Sequence, residues 1–97
     1  MKTGSRKFAR VTINSTTYEV TVPQWRALEL LSPTWKFFKW RVFHFNTRLG
    51  LERQEWAEFR NIEGYLQARL LPAGREIRDE IYRRLAIRQA RAQGEHL

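Results

Sequence analysis

The chain contains no cysteine, and this absence excludes disulfide bonds and thiolate metal sites. Histidine is almost as scarce, since the 97 residues include only 2, His44 and His96, and these do not stand at a zinc-binding spacing. No glycine-rich loop that could cradle phosphate is present, and no set of serine, histidine and acidic residues suggests a nucleophilic site. The sequence therefore predicts a protein that is not an enzyme and uses no metal or cofactor.

Long apolar runs are also missing. No segment approaches the roughly 20 consecutive apolar residues that cross a bilayer. The basic N-terminus is not followed by the apolar stretch of a secretory signal peptide. We therefore expect no membrane span and an intracellular location, either the cytoplasm or the interior of an organelle such as the mitochondrion.

Charge is abundant and strongly unequal in sign, with a formal net charge of +8. Most of the basic residues are arginines, whose planar guanidinium groups suit bidentate contacts to phosphates and carboxylates. A small, strongly basic domain suggests an acidic partner, which could be nucleic acid, anionic lipid or an acidic protein surface. The candidate anion- or nucleic-acid-binding residues lie in the N-terminal arm and the last predicted helix: Lys2, Arg6, Lys7, Arg10, Arg83, Arg84, Arg88 and Arg91.

The length and the apolar content of 42% predict one small domain, residues 1–97, with a single core. Residues 1–7 read as a basic arm. Residues 8–22 alternate apolar and polar side chains on both sides of a polar turn, which predicts a β-hairpin. Residues 23–93 are expected to be helical, and residues 94–97 form a tail.

The helical part is predicted to begin with a short helix, because Thr21 and Gln24 have the spacing of a capping box and Pro23 suits a first turn. Next comes the aromatic-rich stretch 32–50. Read as a helix over residues 33–49, it places one apolar stripe toward the core: Trp35, Phe38, Val42, Phe45 and Leu49. Gly50 is then expected to end this helix.

A third helix is predicted over residues 51–71, with Trp56 and Phe59 on its inner stripe. Pro72 and the glycine that follows shortly after are expected to break the chain before a last helix over residues 75–92. The fold class predicted from these patterns is α+β and mostly helical. It consists of an N-terminal β-hairpin packed on a short helix and three longer helices.

The predicted helix 33–49 carries a second aromatic side, which the core would not cover. Trp, Tyr, Phe and Arg are the residue types enriched at the centres of protein interfaces. The candidate partner-binding residues are Phe37, Trp40, His44, Lys36, Arg41 and Glu63. The function expected from them is that of a non-enzymatic interaction or scaffold subunit of a larger macromolecular assembly. A protein partner is expected, nucleic acid is an open alternative, and no small-molecule substrate is indicated.

The segment 53–62 suggests a different function. It resembles the helix-turn-helix of Cro-type repressors, with Ala57 where that family keeps a small residue and Asn61-Ile62 where it places the turn. The resemblance implies a DNA-binding transcriptional regulator with an interhelical turn at Asn61. It also implies phosphate contacts from the arm and from three arginines near the recognition helix: Arg53, Arg60 and Arg69. Arg60 and Gln67 fall where the family buries aliphatic side chains, and Gly64 would open that recognition helix.

Overall fold

The computed structural model describes residues 6–94, which form five strands, three α-helices and one 3-10 turn. In chain order these are β1 (Lys7–Ile13), β2 (Thr16–Thr21), α1 (Val22–Leu30), β3 (Lys36–Phe38), the 3-10 turn η1 (Trp40–Val42), α2 (Phe45–Arg53), β4 (Ala57–Ile62), β5 (Tyr65–Leu70) and α3 (Pro72–Gly94). Helices take up 49% and strands 31%, so the architecture is α+β with a long C-terminal helix.

The N-terminal hairpin is present as the alternation predicted. β1 and β2 pair antiparallel, and Ile13 lies opposite Thr16 across a tight turn. The two turn residues, Asn14 and Ser15, have φ angles of 49° and 68°, as a two-residue turn that follows the strand twist requires. Val11 and Val20 of the paired strands are buried, so one face of the hairpin packs on the core.

The short helix α1 is also confirmed, together with its capping box. The Thr21 N–H donates to Gln24 Oε1 at 2.9 Å, and the Gln24 N–H donates to Thr21 Oγ1 at 3.3 Å. These two bonds satisfy backbone donors that a helix start would otherwise leave without partners. Trp25 and Leu28 are buried, as the helical spacing predicted.

The predicted helix over residues 33–49 is wrong. The chain forms the strand β3, then the turn η1, and only then enters α2. Phe and Trp favour strands, and β3 finds a partner in β5, where Phe38 lies opposite Leu66. Spacing at three and four residues in this aromatic run was therefore coincidental. Gly50 lies inside α2 and does not end a helix.

The predicted helix over residues 51–71 is also wrong, because the chain there forms the hairpin β4–β5. The hairpin turns at Glu63 and Gly64, whose φ angles are 51° and 89°, and Gly64 adopts this left-handed conformation without steric cost. A helix over residues 51–71 would have placed Glu63 on the same stripe as Phe59, but Glu63 is exposed at this turn. The placement of a helix-turn-helix at Asn61 fails for the same reason, since Asn61 belongs to β4.

These corrections overturn the expected fold class of a hairpin with a short helix and three longer ones, and the helical part 23–93 is interrupted by strands. The second sheet has the order β3-β5-β4 and is antiparallel throughout. The last helix exists, but it begins at Pro72 instead of after it. Proline at the first helical position is favourable because its missing N–H has no helical partner there.

The core centres on Trp56, which is 1% exposed. Its backbone N–H donates to the Leu51 carbonyl at 2.9 Å, and its own carbonyl accepts from the Leu71 N–H at 2.9 Å. The ring of Tyr18 on β2 contacts the Trp56 ring edge-on, with centroids 5.9 Å apart. One residue thus joins both hairpins, α2 and the start of α3.

The close approach of α3 to this residue yields a prediction about Gly74. A Cβ at this position would collide with the carbonyl oxygen of Trp56, which is backbone and cannot rotate away. We expect Gly74→Ala to lower the free energy of unfolding by about 1–3 kcal/mol, although alanine is the better helix former. Urea unfolding followed by circular dichroism measures this.

The matched control lies in the same helix, since a Cβ at Gly94 meets no atom within 4 Å. Gly94→Ala should leave the unfolding midpoint unchanged or raise it slightly. Equal stability of the Gly74→Ala variant and the wild type would contradict the tight contact between α3 and Trp56.

Candidate nucleic-acid interface

Four aromatic side chains lie exposed where β3, η1, α2 and the β4–β5 turn meet. Their exposed fractions are 61% for Phe37, 40% for Trp40, 58% for Phe45 and 67% for Tyr65. Together with Arg48, we call these residues the aromatic face. Apolar surface of this extent on a small protein usually marks a binding site.

Direct contacts link one half of the aromatic face. The rings of Phe37 and Tyr65 meet edge to face, with centroids 6.3 Å apart and planes at 88°. The Trp40 indole N–H donates to the Gly64 carbonyl at 2.9 Å and so fixes η1 to the β4–β5 turn. Because Tyr65 directly follows that turn, the three rings lie around a single hairpin tip.

Arg48 joins the other half. Its guanidinium carbon lies 5.2 Å from the Trp40 ring centroid and 5.5 Å from the Phe45 centroid, which is within cation–π range of both rings. The Arg48 Nε atom is buried and has no hydrogen-bond partner among residues 6–94. This side chain is thus held by the two rings and not by a carboxylate.

Strand alternation explains why Phe37 and Tyr65 point outward. Phe38, the neighbour of Phe37, turns inward and packs on Phe43 with centroids 5.0 Å apart. Leu66, the neighbour of Tyr65, is fully buried. Successive side chains of a strand point to opposite faces, so the rings of Phe37 and Tyr65 are left on the outer face.

His44 has a structural role at the edge of the aromatic face. It is the N-cap of α2, and its Nδ1 accepts the Asn46 N–H at 3.1 Å. The side chain remains exposed, so a cap function and contact with a partner are compatible.

Three basic residues that form no ion pair among residues 6–94 lie close in sequence to the aromatic face. The sequence has no acidic residue between Glu29 and Glu52. None of the ion pairs formed among residues 6–94 includes Lys36, Lys39 or Arg41, and all three are exposed. Their positive charge is therefore available to an anionic partner.

The basic residues on β1 are placed differently. Lys7 and Arg10 form ion pairs with Glu19 at 3.3 and 3.1 Å. Hydrogen bonds from Lys7 and then Arg10 lower the pKa of the Glu19 carboxyl. Arg6 is exposed at the start of the described chain, whereas Lys2 lies outside the described residues.

The basic residues of α3 are partly engaged as well. Glu80 pairs with Arg83 at 2.6 Å and with Arg84 at 3.0 Å. Arg84 also donates through Nη1 to the Arg10 carbonyl at 2.6 Å, which ties α3 to β1. Arg88 and Arg91 are exposed on the last turns of the helix.

The structure brings most of the candidate partner-binding residues to one region. Phe37 and Trp40 belong to the aromatic face, with Lys36 on β3, Arg41 in η1, His44 before α2 and Glu63 in the adjoining turn. Sequence reasoning missed Phe45, Tyr65 and Arg48. A usable signal for Tyr65 was present in the sequence, because Gly64 is followed over residues 66–70 by alternating apolar and polar side chains, which is typical of a strand after a turn.

No protein-family model, curated protein or solved structure is significantly similar to this chain. Within residues 6–94, no group of three or more potential ligand side chains is arranged to hold a metal ion. The helices in this part of the chain also lack the combination of length and apolar character that a bilayer crossing demands.

The ion pairs on α3 predict a dependence of stability on pH. Hydrogen bonds from Arg83 and then Arg84 lower the pKa of Glu80 from 4.5 to about 2. The stabilisation from Glu80 is therefore complete above pH 4.5 and is lost as the pH falls toward 2. We expect Glu80→Gln to flatten this part of the stability profile in urea unfolding experiments.

Glu76 provides the control, because it lies on the same helix and forms no ion pair among the described residues. Glu76→Gln should keep the acid sensitivity of the wild type. An unchanged profile for Glu80→Gln would show that the pairs with Arg83 and Arg84 add nothing to stability.

The exposure of the aromatic face predicts that its rings contribute less to folding than a core ring does. We expect Phe37→Ser combined with Trp40→Ser to cost about 2–3 kcal/mol, through the lost burial of part of the Trp40 ring, its hydrogen bond to Gly64 and its contact with Arg48. Thermal unfolding measures this loss. Trp56→Ala is the comparison, because a buried aromatic residue should cost about 3–5 kcal/mol. A double variant that melts as low as Trp56→Ala would mean that the aromatic face is part of the core.

Proposed function

We propose that this protein is a nucleic-acid-binding module that acts by binding and not by catalysis. The observation that carries the proposal is the aromatic face together with three exposed cations close to it in sequence, which form no ion pair within residues 6–94. Lys36, Lys39 and Arg41 lie on the acid-free segment that also supplies Phe37 and Trp40. Cations suit the phosphates of a nucleic acid, and exposed rings suit its bases.

The order of elements supports the proposal. The short turn η1 leads into α2, and the β4–β5 hairpin stands beside them, bound to η1 through Trp40. The first residues of α2, Phe45 and Asn46, are exposed next to this link. A nucleic acid bound at the aromatic face would contact them as well.

The distribution of charge also indicates how the protein would bind. Phosphate contacts give affinity that falls steeply with salt and depends little on base sequence. The exposed cations near the aromatic face are few, so we expect moderate affinity, a salt dependence set by that small number of phosphate contacts, and weak base discrimination.

The test is fluorescence anisotropy with labelled oligonucleotides over a series of salt concentrations. We expect Lys39→Gln combined with Arg41→Gln to weaken binding and to reduce the slope of log K against log salt by about 0.7–0.9 for each lost phosphate contact. Lys7→Gln combined with Arg10→Gln is the control of equal charge, because those two residues pair with Glu19. Equal losses for both double variants would contradict binding at the aromatic face.

A second candidate function is that of an interaction or scaffold subunit in a larger assembly, with no small-molecule substrate. The exposed rings of Trp40 and Phe45 in contact with Arg48 favour it, because such residues are enriched at interface centres. Sedimentation of the nuclease-treated protein with and without its co-purified partners separates the two functions. If Phe37→Ser with Trp40→Ser abolishes association while oligonucleotides never bind, the scaffold function is favoured. An intracellular location remains a prediction for both.

A further inference from the structure

The outer face of the second sheet holds other side chains besides the exposed rings of Phe37 and Tyr65. Gln67 on β5 lies opposite Phe37 on one side and opposite Arg60 on the other, so these three residues form one row across the sheet. Tyr65 lies opposite Ile62 in the next row. All five side chains belong to the face that turns away from the buried Leu66, Ala68 and Leu70.

Polar contacts hold this outer face in a fixed arrangement. Arg60 Nε donates to Gln67 Oε1 at 2.8 Å, and Arg69 Nε donates to Glu58 Oε1 at 2.7 Å. The guanidinium carbons of these two arginines lie 3.9 and 4.8 Å from the ring centroid of Trp35. A surface with its polar groups fixed in advance loses little conformational entropy when a ligand binds.

We infer that this outer sheet face binds single-stranded nucleic acid, with unpaired bases stacked on Phe37 and Tyr65. The inference rests on the proposed function and names its substrate class. Single strands are recognised mainly by stacking of bases on exposed aromatic rings combined with cations along the backbone. Both features are present, because Arg60 lies in the same row as Phe37 and, like Lys39 just after β3, forms no ion pair within residues 6–94.

The geometry of the rings favours a single strand over a duplex. In a duplex each base is covered on both faces by its neighbours, so a protein ring cannot stack on it unless the base leaves the stack. The planes of Phe37 and Tyr65 stand at 88°. Two bases stacked on them cannot remain parallel to each other, and only a flexible single strand bends in this way. Gln67 lies between Phe37 and Arg60 in the same row and offers an amide to a base edge.

The experiment compares oligonucleotides of about 12 residues, which is within the range of single-strand site sizes. Anisotropy is measured at one salt concentration for oligo(dT), oligo(U) and a DNA duplex of the same length. We expect either single strand to bind at least tenfold more tightly than the duplex. Phe37→Leu and Tyr65→Leu should each weaken single-strand binding by about 5- to 100-fold, because leucine keeps apolar area but removes the stacking surface.

Three further variants keep this test interpretable. Tyr65→Phe retains the ring and should bind single strands more tightly than Tyr65→Leu does, which tests whether the ring itself is required. Tyr82→Leu removes another exposed tyrosine, on α3, and should leave binding unchanged. Circular dichroism melts of Phe37→Leu and Tyr65→Leu should stay near the wild type, since both rings are exposed.

The outcomes separate this inference from the proposed function. Tighter binding of the duplex would overturn the single-strand inference alone. The same conclusion would follow if Phe37→Leu and Tyr65→Leu had no effect while Lys39→Gln with Arg41→Gln still weakened binding. Failure of every oligonucleotide to bind would overturn both. Loss of a protein complex in the leucine variants, without oligonucleotide binding, would also overturn both and would assign the rings to protein docking.

Discussion

Trp56 is the residue on which the rest of this fold depends. Its side chain is buried and contacts Tyr18 of the first hairpin, while its backbone accepts the N–H of Leu71 and donates to the carbonyl of Leu51. These bonds set where α2 ends and where α3 begins, and Gly74 allows the first turn of α3 to lie against the same carbonyl. These contacts of Trp56 fix the three-stranded sheet relative to α2. The aromatic face is built on the same sheet and helix, together with η1.

Trp40 provides the corresponding link at the surface. Its bond to the Gly64 carbonyl ties η1 to the tip of the β4–β5 hairpin, and Arg48 extends the link to Phe45 on α2. Without this bond, the hairpin tip would be held to η1 only through the sheet. A binding surface assembled from separate elements depends on such links to keep its rings at a constant spacing. Trp40 therefore positions the hairpin tip and also contributes its own exposed ring to the aromatic face.

The parts of the fold that could be predicted from sequence are those with an unambiguous local signal. The alternating strands of the first hairpin and the capping box of Thr21 and Gln24 gave the correct elements, and so did the charge-rich last helix. The middle of the chain was mispredicted because a dense aromatic run matches helical and strand periods equally well. Pairing of β3 with β5, which is distant in sequence, decided between them. At the site, Phe37 and Trp40 could be found from composition, whereas Tyr65 joined them only through the turn at Gly64.

Two groups of basic residues contribute to the net charge of +8. On β1 and α3, basic residues pair with Glu19 and Glu80, and Arg84 ties the two elements together through the Arg10 carbonyl. Each of these carboxylates faces two basic side chains and offsets the charge of one of them, so both clusters stay positive. In the acid-free segment, Lys36, Lys39 and Arg41 form no ion pair within residues 6–94, so their charge is not offset there. The same segment supplies the exposed rings of Phe37 and Trp40. Charge and aromatic surface therefore indicate the same segment of the chain, by two independent physical arguments.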